Sequence, residues 1–130
     1  LAFVHKTRDL TRPNQATANR VVGDVAGRTA IIVDDLIDTA GTICGAVRVV
    51  LEAGAKDVIV AATHGVLSDP ATKRLQESGL RELVITDTLP IGPEKRFPGM
   101  TVLSIAPVLA RAIDEVFEDG SVTSLFAGAY

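Results

Sequence analysis

One short stretch, residues 30–42, combines the residue types that could do chemistry in this chain. An apolar run leads into two adjacent carboxylates, Asp34 and Asp35, and a turn of sequence Asp-Thr-Ala-Gly-Thr follows at residues 38–42. Ionised carboxylates accept hydrogen bonds, and the hydroxyls of a sugar donate them. The turn and the helix start after it present backbone N–H groups, which together with the helix dipole favour a phosphate. The pattern predicts a pocket for a ribose phosphate.

The turn itself supplies the predicted phosphate contacts. Its backbone N–H groups are donors, two of its side chains add hydroxyls, and its glycine lets a phosphate approach the backbone closely. The predicted phosphate-binding residues are Asp38, Thr39, Ala40, Gly41 and Thr42. The alternative interpretation is a strand end with solvated acids, followed by an ordinary capped helix.

The adjacent carboxylates need partners, because two neighbouring negative charges disfavour each other's ionised form. Sugar hydroxyls would serve, and so would a metal ion that Asp34 and Asp35 held directly or through water. The sequence identifies no definite metal ligand. It also contains neither of the glycine-rich nucleotide signatures G-x-x-x-x-G-K-[ST] and G-x-G-x-x-G, so a nucleoside triphosphate would not bind this chain through a P-loop.

Composition limits the partners of the chain. It has 130 residues, 47% of them hydrophobic and 22% charged, which suits one globular domain over residues 1–130. A net charge of −3 gives no electrostatic reason to expect nucleic acid or an anionic membrane surface as a partner. No apolar run is long enough for a membrane span. Cys44 is the only cysteine, which excludes an internal disulfide and fits a reducing, cytoplasmic compartment.

The elements that must position the acids and the turn alternate from residue 28 onward. Short apolar runs predict strands at 28–33, 57–62, 82–86 and 101–105, and amphipathic stretches predict helices at 42–53, 70–79 and 107–118. This alternation predicts an α/β fold with a parallel sheet flanked by helices over residues 28–130. Ligands bind such sheets beyond the carboxyl ends of the strands, where Asp34 and Asp35 are expected to lie.

Residues 1–27 have a different pattern. Two short apolar runs, 1–4 and 20–25, flank the polar segment 6–19, which predicts a hairpin with a flexible loop at its tip. The chain begins at Leu1 inside the first of these runs, so we expect it to be a domain or fragment of a longer protein.

The run 32–42 resembles the motif that binds phosphoribosyl diphosphate (PRPP) in type I phosphoribosyltransferase folds. It is most similar to the version found in the ribose-phosphate diphosphokinase, or PRPP synthetase, family. His5-Lys6-Thr7-Arg8 with Arg12-Pro13-Asn14 resembles that family's catalytic flexible loop, and the segments 62–68 and 121–126 are also similar to it. The resemblance covers nearly the whole chain and implies that it is the C-terminal half of such a protein.

The resemblance implies a reaction in which the diphosphate of ATP is transferred to ribose 5-phosphate, giving PRPP and AMP, with Mg²⁺ accompanying ATP. It implies that Lys6 and Arg8 are catalytic, because cations that close over a transferring diphosphate stabilise its charge. Asp34 and Asp35 would hold the ribose hydroxyls, and residues 38–42 would hold the 5-phosphate. A missing N-terminal half would carry the adenine contacts and main Mg²⁺ ligands, so this chain alone is expected to be inactive.

The resemblance also implies regulation and assembly. The terminal segment is similar to the part of the family that binds a regulatory phosphate or ADP between subunits. Its residues are Ser121, Thr123, Ser124 and Phe126. The family suggests a homo-oligomer, a hexamer built from dimers. Two other functions remain open: a phosphoribosyltransferase that consumes PRPP through the same turn, and a non-catalytic binding module associated with PRPP synthetases.

Overall fold

A computed structural model of the protein describes residues 1–8 and 16–126, and it describes side chains outside residues 6–19. The amino-terminal part is an antiparallel pair of strands, β1 (Phe3–Arg8) and β2 (Ala16–Val22), which confirms the predicted hairpin. The pairing reaches further into the polar segment than the sequence predicts, because a backbone ladder needs no apolar side chains. Residues 9–15, with most of the predicted flexible loop, lie outside the described residues.

The rest of the described chain alternates between strands and helices. The strands are β3 (Thr29–Ile37), β4 (Asp57–Gly65), β5 (Glu82–Thr86) and β6 (Met100–Leu103). The α-helices are α1 (Gly41–Glu52), α2 (Ala71–Glu77) and α3 (Ala106–Phe117), and short 3₁₀ turns occupy Pro93–Lys95 and Val122–Phe126. The four strands form one parallel sheet in the order β3-β4-β5-β6. The predicted α/β class is therefore confirmed.

The core lies where α1 meets the sheet. Val47 of α1, Val58 and Val60 of β4, and Leu83 of β5 are fully inaccessible to solvent. These side chains share one face of each element, since inward-facing positions recur every two residues in a strand and every three to four in a helix. Leu75 of α2 belongs to the same cluster. Burial of this apolar surface holds α1 against β3 and β4, and so fixes where α1 begins.

Strand β3 differs from the prediction in two ways. It runs four residues beyond Val33, because Leu36 and Ile37 continue the parallel pairing with the end of β4. It also lies at the edge of the sheet, and one of its faces is bare within the described chain: Ile31 and Val33 are 65% and 76% exposed. Strand β3 is therefore half-buried, whereas its short apolar run rich in β-branched residues predicts a buried strand.

Helix α3 has an apolar face but buries none of its residues against the described part of the chain. Its exposed apolar residues are Val108, Leu109, Ile113, Val116 and Phe117. The amphipathic pattern correctly predicts the helix, because that pattern depends on spacing alone. Spacing cannot say which surface the apolar face covers. No described helix is both long and apolar enough to cross a membrane.

The start of α3 is tied to the end of β5 by Asp87. The carboxylate Oδ1 accepts a hydrogen bond of 2.8 Å from the backbone N–H of Ile105. This bond, and a second one from the Ser104 hydroxyl, hold the pKa of Asp87 below its ordinary value of 3.8. A lowered pKa means that the folded state favours the ionised carboxylate.

We expect Asp87→Asn to lower the Tm modestly near neutral pH, because the charge that strengthens the bond to Ile105 is lost. The contribution of a carboxylate with a lowered pKa is complete above its unfolded pKa and disappears as pH falls through its folded pKa. The difference in Tm between the two proteins should therefore shrink below about pH 4. Calorimetric melting across a pH series measures it. A difference that stayed constant down to the acid end would contradict this role.

Candidate functional site

The site is built at the carboxyl end of β3, where the chain leaves the sheet and enters α1. A cavity of about 680 Å³ opens there, and its lining runs without interruption along the backbone from Asp34 to Ile43. This volume is in the range that small ligands occupy in proteins. All seven predicted binding residues, Asp34, Asp35, Asp38, Thr39, Ala40, Gly41 and Thr42, line this one cavity.

The two acids lie within β3 rather than at its end. Successive side chains of a strand point to opposite faces, and the exposure pattern follows that rule: Asp34 is half-buried, with Ala30 and Ile32 on its face, whereas Asp35 is exposed. The Asp34 carboxylate accepts a hydrogen bond of 3.1 Å from the backbone N–H of Asp35. The expectation that the strand ends at the acids is therefore wrong, although both residues still border the cavity.

The turn contains an unusual backbone conformation at Ala40. Its φ of 59° and ψ of 4° place it in the left-handed region, which costs an alanine roughly 1–2 kcal/mol relative to right-handed backbone. Ala40 is also buried, with 5% of its surface exposed. This residue is the N-cap of α1, and its side chain has no cap acceptor to offer the helix.

The backbone N–H groups that follow are free. Within the described chain, no hydrogen bond accepts from the N–H groups of residues 39–43, and the first bond of the helix runs from Cys44 N–H to the Ala40 carbonyl at 2.9 Å. The first turn of a helix always leaves such donors without partners inside the helix. Here no side chain caps them, and residues 39–43 all line the cavity. A concave run of backbone donors at a helix start is suited to an anion.

One residue that the sequence analysis missed contacts this turn. Arg74 of α2 donates a hydrogen bond from Nη1 to the Thr39 carbonyl at 3.0 Å. Thirty-five residues separate the two positions, so only the packing of α2 beside α1 brings them together. The predicted segment 62–68 and the helix pattern at 70–79 gave no signal for this contact, because an exposed helical arginine is ordinary.

Two further side chains with chemically active groups, Cys44 and His64, have structural surroundings. Burial raises the pKa of the Cys44 thiol, and the nearby Arg74 guanidinium and Ser78 hydroxyl offset only part of that rise, so the reactive thiolate is disfavoured. His64 Nδ1 lies 2.9 Å from the Thr88 hydroxyl. The Thr88 hydroxyl also lies 3.0 Å from the Thr63 carbonyl oxygen, so His64 belongs to a local network of hydrogen bonds at the ends of β4 and β5.

The remaining predicted residues are not brought to the cavity by the described contacts. The backbone of Lys6 and Arg8 lies in β1, but their side chains are outside the described part of the structure. The terminal segment forms a 3₁₀ turn that contacts α3, where the Ser121 and Thr123 hydroxyls share a hydrogen bond and Phe126 is half exposed. It does not line the cavity. The described residues also contain no group of three or more metal-ligating side chains.

Comparisons with known proteins agree on one family. A family described as "Phosphoribosyl synthetase-associated domain" matches residues 5–127. A ribose-phosphate pyrophosphokinase of Bifidobacterium longum is 71% identical over 126 residues, which are 97% of this chain and 37% of that protein. A ribose-phosphate pyrophosphokinase of Mycobacterium tuberculosis H37Rv is 66% identical over 128 residues, or 98% of this chain and 39% of that protein.

A solved structure is similar as well. The crystal structure of phosphoribosylpyrophosphate synthetase from Mycobacterium smegmatis matches with a TM-score of 0.80 and 62% identity, covering 92% of this chain and 37% of that one. The chain therefore spans somewhat more than a third of the length of the relatives that it matches, which is less than the half that the sequence resemblance implies.

The geometry of Gly41 separates ligand binding from folding. A Cβ added there would meet the nearest atom, Nη1 of Arg74, at an ordinary 3.7 Å, so Gly41→Ala should leave the Tm unchanged or slightly higher. The same methyl group would stand where a phosphate approaches the backbone. We expect the Kd for ribose 5-phosphate to rise roughly tenfold, about 1.4 kcal/mol, when measured by calorimetric titration.

Gln76→Ala is the matched control, since Gln76 is exposed on α2 and does not line the cavity. Equal affinity in the Gly41→Ala variant and the parent protein would show that phosphate does not approach this part of the backbone.

Proposed function

The chain belongs to the phosphoribosyl synthetase-associated domain family, and from that premise we propose that it carries the ribose 5-phosphate site of a ribose-phosphate diphosphokinase. The observation that carries the proposal is the row of free backbone N–H groups at residues 39–43, which opens onto the same cavity as three carboxylates. Few ligands need both an anion site and several hydroxyl acceptors within one small cavity. A ribose phosphate needs both.

In this proposal the two ends of the cavity bind the two ends of the sugar phosphate. The free N–H groups hold the 5-phosphate, and the Thr39 and Thr42 hydroxyls add donors. Asp34 and Asp35 accept hydrogen bonds from the ribose hydroxyls. Hydrogen bonds that involve a charged group are stronger than neutral ones, so both ends contribute to affinity and fix the orientation of the sugar.

The carboxylates at the cavity suit a Mg²⁺ ion that enters the site together with ATP. Mg²⁺ is held in many enzymes by one or two carboxylates together with substrate phosphates and water. Asp34 and Asp35 supply such a pair of carboxylates at the cavity, whereas the described residues offer no complete protein cage. The ion would neutralise charge on the diphosphate of ATP, and the carboxylates would hold it near the ribose.

The proposed reaction is the transfer of a diphosphoryl group from ATP to the anomeric hydroxyl of ribose 5-phosphate, which yields PRPP and AMP. Lys6 and Arg8 are the proposed catalytic cations. The backbone of both lies in β1. The ribose-phosphate pyrophosphokinase names of the similar proteins support this reaction.

Several finer expectations stay predictions. They are the division into a hairpin at 1–27 and a core at 28–130, the hexamer and the cytoplasmic location. The proposed regulatory site for phosphate or ADP, at Ser121, Thr123, Ser124 and Phe126, is supported only by the sequence resemblance and by the exposure of these residues.

Activity is best tested in a chimera in which this chain replaces the 126 matching residues of the Bifidobacterium longum relative. We expect the chimera, with Mg²⁺, to release AMP from ATP and ribose 5-phosphate, and the 130-residue chain alone to release none. AMP is diagnostic because a phosphoribosyltransferase would consume PRPP and release diphosphate. A folded chimera without AMP release would favour a non-catalytic binding module.

The roles assigned to Asp35 and Lys6 predict effects on different quantities in this chimera: the affinity for ribose 5-phosphate and kcat, respectively. Asp35→Asn keeps the shape of the side chain but loses a charged acceptor, so the affinity for ribose 5-phosphate should fall roughly 10- to 100-fold. Lys6→Ala removes charge that acts on the transferring group, so kcat should fall roughly 100-fold or more with little change in affinity. Calorimetric binding and initial rates separate the two. The reverse pattern would refute both assignments.

A further inference from the structure

We propose that Arg74 is a positioning residue for the phosphate turn, an inference that rests on the proposed function. The guanidinium holds the Thr39 carbonyl and thereby orients the backbone donor of Ala40 toward the bound phosphate.

The contact itself is direct and specific. Arg74 Nη1 donates to the Thr39 carbonyl oxygen at 3.0 Å, and the same nitrogen is the heavy atom nearest to a Cβ built on Gly41. Nη1 of Arg74 therefore lies next to both Thr39 and Gly41 of the turn. It takes part in none of the ion pairs among the described residues, so no carboxylate competes for its hydrogen-bond donors there.

Because of peptide geometry, the bond from Arg74 to the Thr39 carbonyl also determines the direction of the Ala40 N–H. The Thr39 carbonyl and the Ala40 N–H belong to one planar trans peptide and point in opposite directions. A guanidinium that fixes the carbonyl on the α2 side must therefore fix the N–H on the other side. Ala40 lines the cavity, and its N–H has no acceptor within the described chain.

The need for such a tether follows from the conformation of Ala40. A left-handed alanine is less stable than a right-handed one, so a neighbouring contact must favour it. A hydrogen bond to a charged donor contributes enough to do this. The peptide group between Thr39 and Ala40 rotates when ψ of Thr39 or φ of Ala40 changes. Arg74 holds this peptide group through its carbonyl.

A second set of bonds anchors the other side of the turn to the same segment of chain. The Ile37 carbonyl accepts from the backbone N–H groups of Val66 and Leu67 at 3.0 and 3.1 Å. The ammonium of Lys95 in turn donates to the Val66 carbonyl at 2.8 Å. The chain from Val66 to Arg74 thus holds the phosphate turn both before and after Asp38.

Charge gives Arg74 a further effect. Asp34, Asp35 and Asp38 border the cavity, and their negative charges oppose the approach of a phosphate. A guanidinium beside the turn offsets part of that potential.

The test compares Arg74→Met, Arg74→Lys and the control Arg48→Met in the full 130-residue chain. Arg48 is an exposed arginine of α1, paired with Glu52 and absent from the cavity lining. Three quantities are measured: the Tm, the Kd for ribose 5-phosphate, and the ¹⁵N chemical shift of Ala40 in the ligand-free protein. That nitrogen shares its peptide with the Thr39 carbonyl, so its shift reports the hydrogen bond directly.

We expect Arg74→Met to raise the Kd roughly 10- to 100-fold and to move the Ala40 shift, with only a modest fall in Tm from the loss of the bond that favours the left-handed Ala40. Arg74→Lys should recover part of both effects, because an ammonium can donate to the same carbonyl. Arg48→Met should change neither.

Different failures have different meanings. If the parent chain binds ribose 5-phosphate and Arg74→Met binds it equally well, the positioning role is wrong and the proposed function stands. A weaker affinity with an unchanged Ala40 shift would overturn positioning in favour of direct contact with phosphate. A fall in Tm that accounts for the whole loss of binding would make Arg74 merely structural. If the parent chain does not bind ribose 5-phosphate, the proposed function itself fails.

Discussion

The left-handed backbone at Ala40 is the constraint on which the cavity depends. It turns the chain sharply between β3 and α1, and the residues of this turn and of the first turn of the helix line one cavity. No side chain caps those groups within the described chain. In most helices a cap residue would satisfy one of them, and its absence leaves the donors available to a ligand.

Packing far from the cavity maintains this arrangement. Burial of Val47 against Val58 and Val60 fixes α1 on the sheet, and the parallel register of β3 with β4 fixes where β3 ends. The turn must therefore connect two rigid elements across a short distance. The segment after β4 then contacts the turn through Val66, Leu67 and Arg74. The contacts that stabilise the core therefore also determine the geometry of the cavity.

The sequence predicted those features that depend on local spacing. Helix α1 lies within one residue of its predicted bounds, and the alternation of apolar runs correctly predicted the parallel sheet. The adjacent acids and the turn were predicted to share a cavity, and they do. Their roles in binding stay predictions.

What the sequence missed depends on contacts between distant parts of the chain. The extension of β3 past Asp35 results from the pairing of Leu36 with His64 and of Ile37 with Gly65, residues that are 28 positions apart in each pair. The contact of Arg74 with Thr39 requires the position of α2, which no local pattern encodes. The exposure of the apolar face of α3 was also missed. Amphipathic spacing predicts a helix, but it does not identify the surface that the apolar face covers.

The free donors at the start of α1 are main-chain atoms, and this has a consequence for how the sequence can vary. A substitution at Thr39 or Thr42 changes a hydroxyl but leaves every N–H in place, so such positions can drift without erasing the anion site. Variation is restricted instead where the backbone path is decided: at Ala40, which must accept a left-handed conformation, and at Gly41, beside which an anion must fit. A β-branched residue at Ala40 would be excluded by backbone sterics alone. Sequence variation in the turn at residues 39–42 is thus limited more by the backbone shape that the turn requires than by side-chain chemistry.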